Sequence, residues 1–129
     1  MVSSNKRVVS GDDGVVIRHL NSSITGGRTL DTSEFSENVV KAGHIVVRKK
    51  DSDGVYVYSP LSVNEGAYEA LPEGAEYAGV VINTMPKDEA CVGIMDDGRV
   101  NDTAMPYPIT DGMRAALKAA LPNLIFEHD

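Results

Sequence analysis

Few side chains in this chain have the type and spacing that chemistry needs. There are three histidines, His19, His44 and His128, and one cysteine, Cys91. A metal site needs ligands at a repeat that brings them together, such as two histidines one helical turn apart or a pair of cysteines. None of the four has such a companion nearby. His44 falls in an extended stretch, and its ring is expected at the surface. Cys91, between Ala90 and Val92, is expected to be a buried, inert packing group. Asp51-Ser52-Asp53-Gly54 has the look of a calcium loop, but an EF-hand places Gly at loop position six and Glu at twelve. Here the Gly comes fourth and Ser62 occupies position twelve, so a hairpin turn is the reading. The acidic pairs Asp12-Asp13, Asp88-Glu89 and Asp96-Asp97 are read as solvated turn residues. Gly26-Gly27 stands outside the glycine patterns that cradle phosphates. No catalytic, metal-binding or cofactor-binding residue is assigned, and no cofactor is expected.

Charge narrows the partners. Residues 1–50 carry eight Lys/Arg against five Asp/Glu, and residues 51–129 carry four against fourteen. The halves stand at +3 and −10, giving the net −7. So acidic a body repels a phosphate backbone, and nucleic acid is not an expected partner. The basic excess culminates in Arg48-Lys49-Lys50, read either as a solvated hairpin end or as a surface that meets an acidic partner, a neighbouring copy included. No apolar run approaches the ~20 residues of a membrane span, and the start carries no apolar leader. Asn21-Ser22-Ser23 and Asn101-Asp102-Thr103 match glycosylation acceptors, a pattern without consequence if the chain stays in a reducing cytoplasm.

The elements that must position any functional surface divide the chain at residue 38. Residues 1–38 are rich in Ser, Thr, Asn, Gly and Asp. Their apolar patches, Val8-Val9, Val15-Val16-Ile17, Leu20, Ile24 and Leu30, are isolated between turn residues. Two readings are open: an arm that orders on a partner, or an edge strand of the body at Val15–Ile17. From Val39 the pattern tightens. A turn at Ala42-Gly43 leads into a strand, Lys49–Gly54 forms a hairpin turn, and Val55–Tyr58 returns. Its valines are expected to face the core and its tyrosines, Tyr56 and Tyr58, the surface. Residues 59–77 read as a linker with a short helical turn near Ala67–Leu71. Ala78–Asn83 and Ala90–Met95 are the central strands, and Gly79 and Gly93 mark bulges or bends of the kind that let a small barrel curve. Asp96-Asp97-Gly98 is read as a hairpin turn.

Pro106-Tyr107-Pro108 suits an extended crossover. A helix over 111–121 follows, N-capped by Thr110 with Asp111 at the positive end of its dipole. Met113, Ala116, Leu117, Ala120 and Leu121 form its apolar stripe, with Met113, Leu117 and Leu121 as the core positions. Pro122 stops it, and Leu124-Ile125-Phe126 rejoins the sheet. The predicted fold is mainly β with one short α-helix: a small barrel-like body, residues 39–129, behind a flexible N-terminal arm.

The order AGVVINT, ACVGIMDDGRV, PYPITDGMRAALKAALPNLIF resembles the capsid decoration, or cement, proteins of tailed phages, the lambda-like head-stabilising family. The resemblance runs over residues 39–126. It rests on Gly43–Val47, on Ala90 and Val92–Met95, on Gly98–Val100, and on the crossover, helix and final strand of Pro106–Phe126. It implies a β-tulip body and a non-enzymatic trimer on the outer surface of the virion head, made in the host cytoplasm. It also implies that an N-terminal arm adds a strand to the major capsid protein while the body bridges capsid subunits. On this sequence the arm contacts fall on Arg7, Val8, Val9, Val15, Val16 and Ile17. A head-fibre base, or a virion surface module that binds protein or glycan through Tyr56 and Tyr58, has a similar build. A small enzyme with a site assembled between subunits is the remaining class.

Overall fold

The computed structural model describes residues 13–129. In chain order they form α1 (Asp13–Val16), β1 (Ile17–Ser23), β2 (Arg28–Thr29), β3 (Val39–Val40), β4 (Ile45–Lys50) and β5 (Tyr56–Pro60). Next come β6 (Val63–Asn64), β7 (Ala67–Tyr68), β8 (Glu76–Val81), β9 (Met85–Pro86), β10 (Cys91–Val92) and β11 (Ile94–Asn101). The chain closes with α2 (Asp111–Ala120) and β12 (Leu124–Glu127). The protein is mainly β with one main short helix, as its sequence predicts.

The principal sheet has the order β1-β11-β8-β4-β5, and β12 pairs with β11 in parallel. It is open rather than a barrel, which corrects the closed body expected from the strand glycines. The two ends, β1 and β5, do not pair with each other. Part of the outer edge of β5 is instead taken by Asp31, whose N–H donates to the Tyr58 carbonyl at 2.8 Å.

Burial on both faces explains the apolar central strands. Along β4, Ile45 and Val47 enter one core cluster and Val46 the other, the period of two that a pleated strand imposes. On β8 the alternation slips. Tyr77 and Val80 share one cluster while Ala78 and Val81 share the second, because the register with β4 shifts around Gly79. This is the bulge that the strand glycine foretold. A Cβ on Gly79 would lie 2.8 Å from Ile94 Cγ2 and collide with the Met95 carbonyl oxygen.

Gly98 corrects the sequence reading. Asp96-Asp97-Gly98 is no turn, because β11 runs unbroken from Ile94 to Asn101. The glycine is needed for close approach: a Cβ there would strike the backbone oxygen of His19 on β1 and lie 2.6 Å from Met95 Sδ. Two further expectations fail nearby. The segment around Ala67–Leu71 is the β6–β7 hairpin, not a helical turn. Along Val55–Tyr58 only Tyr56 keeps its expected place at the surface, since Val55 and Val57 are exposed too and Tyr58 is buried.

Residues 13–38 are not a separate arm. Val16 is buried in the cluster that holds Leu117, and Leu30 and Phe35 lie in the other. Ile17 pairs with Val100, and β1 follows β11 as far as Ser23–Met95. Of the described patches isolated in sequence, Val16, Ile17, Ile24 and Leu30 thus find apolar partners far along the chain, while Val15 and Leu20 stay exposed. Of the two open readings, the edge strand describes Ile17, with Val16 packed just before it.

The helix forms where its cap and stripe require. Thr110 Oγ1 accepts the Met113 N–H at 3.1 Å, satisfying one of the first turn's orphan donors. Leu117 is fully buried, Met113 and Leu121 are half-buried against the same cluster, and Ala116 and Ala120 remain exposed. The apolar stripe is therefore narrower than the five residues expected, one i, i+4, i+8 line. Replacing Thr110 with Ala is expected to lower unfolding stability by about 1 kcal/mol. Urea denaturation with an unchanged slope and a lower midpoint checks this; an unmoved midpoint would show that the cap contributes nothing.

Candidate protein-interaction surface

The residues assigned to a capsid-contacting arm separate in the structure. Arg7, Val8 and Val9 lie outside the described residues. Val15 is exposed on α1, Val16 is buried, and Ile17 is half-buried in β1. The last two are committed to the fold and do not form a free ligand. Met113, Leu117 and Leu121 do share one face of α2, where they serve packing.

A different surface stands out at the β4–β5 hairpin. β8 accompanies β4 only as far as the pair Arg48–Glu76. Beyond it Lys49 pairs with Val57 and Lys50 with Tyr56, so the hairpin continues as a two-stranded ribbon. All nine residues from 49 to 57 are exposed. Val55 is 60% exposed, Val57 39% and Tyr56 37%, which is unusual for apolar side chains on a ribbon with so little support. The turn is built by Asp51. Its Oδ1 accepts the N–H groups of Asp53 at 2.8 Å and Val55 at 3.0 Å, so the suspected calcium ligand is spent within the turn.

One face of the ribbon is a stack of cations and rings. Arg48 lies 4.3 Å and Lys50 5.3 Å from the Tyr56 ring, while Arg28 lies 5.3 Å from that of Tyr58. Arg48 Nε also donates to Glu76 Oε1 at 2.6 Å, which holds the exposed Glu76 carboxyl below its ordinary range, with a smaller contribution from Tyr56. These contacts occupy the tyrosine faces that a sugar would stack on. They also explain the burial of Tyr58, for alternation in sequence says that two faces differ but not which one turns inward.

A second constellation escaped sequence reading. Asp102, 5% exposed at its side chain, accepts from Arg114 Nη2 at 2.7 Å and pairs with His128 Nδ1 at 2.8 Å. Burial works to raise the Asp102 pKa, but the hydrogen bonds from Arg114 and His128 outweigh it and hold the carboxyl below the usual range. A carboxylate orienting a histidine is half of a nucleophile-activating arrangement. The neighbouring hydroxyl, Thr103 Oγ1, is turned to Asn101 Oδ1 at 2.7 Å. The trio ties the turn after β11, the helix and the residues after β12 to one another. Around it lies an open hollow of about 480 Å³ that includes Met105, Pro108 and Ile109 in its walls.

His44 and Cys91 exchange their expected places. Cys91 is exposed, because β10 pairs with β2 and turns its other residue, Val92, into the core. His44 is 1% exposed. Its Nε2–H donates to the Leu61 carbonyl at 2.8 Å, and the rings of Phe35, Tyr68 and Tyr107 pack edge-on at 5.1, 5.1 and 5.7 Å. Desolvation brings the imidazole down to about 4, against a smaller upward pull from the Leu61 bond. Among the described residues no group of His, Cys, Asp and Glu could hold a metal ion, and no helix is long and apolar enough to cross a membrane.

Fold and surface together define a mainly β protein with three neighbouring exposed side chains, Val55, Tyr56 and Val57, on a ribbon that begins at Lys49 and Lys50. Comparison with protein-family models, with characterised proteins and with solved structures finds no match to this chain.

Proposed function

We propose that this chain is a virion structural protein that decorates and stabilises the outside of a tailed-phage head, bridging subunits of the major capsid protein as a homotrimer. The observation that carries the reading is the layout of the C-terminal half. A strand, a proline crossover, α2 and a returning strand keep the order of the sequence resemblance, although the hairpin that the resemblance places before Gly98–Val100 is replaced by the unbroken β11. The exposed Val55–Val57 segment adds a surface suited to protein contact. Many copies, each binding weakly, stabilise a shell through avidity, so no single deep pocket is needed. Because Val16 and Ile17 pack into the body, the reading assigns the capsid-contacting arm to the residues before α1, where Arg7, Val8 and Val9 supply a basic and apolar stretch in the sequence. The glycan-binding alternative is disfavoured by the cations over Tyr56 and Tyr58.

The test is co-sedimentation of purified protein with expanded empty heads of the phage that encodes it, followed by electron microscopy of the particles. Saturable occupancy near the threefold positions is expected. A chain lacking residues 1–12 should melt as the full chain does and yet lose capture. Absence of binding by the full chain would sink the reading, while full occupancy by the shortened chain would move the contact to the body.

A further inference from the structure

The ribbon's chemistry has a counterpart on the same molecule. Lys49 and Lys50 stand on the ribbon with no ion pair among the described residues, and Val55 and Val57 are exposed beside them. The tip beyond them carries Asp51, held by the turn's own N–H groups, and the exposed Asp53, so the positive charge is confined to the strand end at Lys49 and Lys50. At the other end of β4 the surface is acidic. The Tyr68 hydroxyl accepts the Ile45 N–H at 3.1 Å, which seats the β6–β7 hairpin at the start of β4. That hairpin presents Glu65 and Glu69, both exposed and without ion pairs among the described residues, next to exposed Ala67 and Ala70. Ile45 and Lys50 are five strand positions apart, about 17 Å. Among the described residues no ion pair joins Lys49 or Lys50 to Glu65 or Glu69 within one chain.

We propose that these two ends meet between molecules, so that the ribbon of one copy, Lys49–Val57, seats on the β6–β7 hairpin of the next. This rests on the self-assembly in the proposed function and supplies its contact. The occupant is a second copy because this surface carries the complementary charge, small apolar side chains to cover Val55 and Val57, and the opposite position on the body. Patches at opposite ends give a head-to-tail contact, which closes into a ring when the rotation between copies allows. Lysine and glutamate at its rim set orientation and make association sensitive to salt, while the valines supply the buried area.

Sedimentation velocity over a concentration series, at low and at high salt, tests the contact. The wild-type chain is expected to self-associate, less so at high salt. Lys49→Glu/Lys50→Glu and, separately, Glu65→Lys/Glu69→Lys should each weaken association by about tenfold or more, since each places like charges against each other. A chain carrying all four substitutions has the wild-type net charge with the polarity reversed, and it should regain association. Thermal melts of every variant establish that the body is folded. A wild-type chain that stays monomeric overturns the proposal. So does a pair of swap variants that associates as tightly as wild type, or a folded fourfold variant that remains dissociated. Any of these results leaves head binding to be judged by co-sedimentation alone, so the two readings fail separately.

Discussion

Removing residues 1–30 is expected to abolish cooperative unfolding, not merely to weaken it. The cut deletes α1, β1 and β2. It takes two buried side chains, Val16 and Leu30, out of both core clusters, at a cost of about 3–6 kcal/mol from burial alone. It also bares the edge of β11 from Met95 to Val100 and removes the Ile24 N–H that donates to the Ile94 carbonyl at 2.9 Å. The ion pairs of Arg18 with Glu127 and Asp129 go too, though exposed pairs of this kind contribute little. Against a total stability of roughly 5–15 kcal/mol for a domain, these losses are of the same order as the whole. Heating the truncated chain should give no sharp transition by far-ultraviolet circular dichroism, and its amides should exchange quickly. A truncated chain that melts sharply near the wild-type temperature would show that β11 and the helix suffice as a folding unit. The arm reading of residues 13–30 would then return.

The same segment shows where sequence reading stops. A helix announces itself locally: Thr110 caps it, and Met113, Leu117 and Leu121 repeat at one spacing. The β4–β5 hairpin is equally local, with its Asp and Gly residues in the turn between two alternating runs. β1 has no such signal. Its partners lie across the chain, and a short run such as Val15–Ile17 reads the same whether it pairs with its own body or another protein. Gly98 illustrates a second ambiguity. Asp-Asp-Gly favours a turn, yet a glycine that lets two backbones approach carries the same letter. The candidate surface was half legible. Arg48-Lys49-Lys50 and the two tyrosines could be singled out, but their common face depends on cross-strand pairs and on Arg28, twenty residues upstream of Arg48. The Asp102 cluster was illegible, since Asp102, Arg114 and His128 come from three elements that meet only once the last strand has docked.

Mild acid is expected to destabilise the protein well before its carboxylates titrate, and His44 is the cause. The imidazole is enclosed by Phe35, Tyr68 and Tyr107, so a charge there would lose its hydration and gain only the Leu61 carbonyl. The groups nearest the open side of the cage are Glu37 and Lys41, which line the hollow beside His44 and Tyr107 and bring opposite charges. Folding lowers the His44 pKa from 6.5 to about 4. Between those values the unfolded chain binds a proton that the folded chain refuses, so stability falls as pH falls. It is intact above about 6.5, and the His44 contribution to the loss is complete near 4, amounting to about 3 kcal/mol. Asp31 and Asp102, whose folded pKa values lie below the carboxylate norm, act lower on the scale. The stability they confer is present above the unfolded carboxylate pKa and is lost as pH falls through the depressed folded values. Urea melts from pH 7 to pH 4 should therefore show a steady drop in midpoint for wild type. His44→Gln retains a side-chain amide to donate to the Leu61 carbonyl but has no proton to take up, so its profile over that interval should be nearly flat, whatever its stability at pH 7. An equal slope in both proteins would place the acid sensitivity elsewhere and show that the cage around His44 opens without cost.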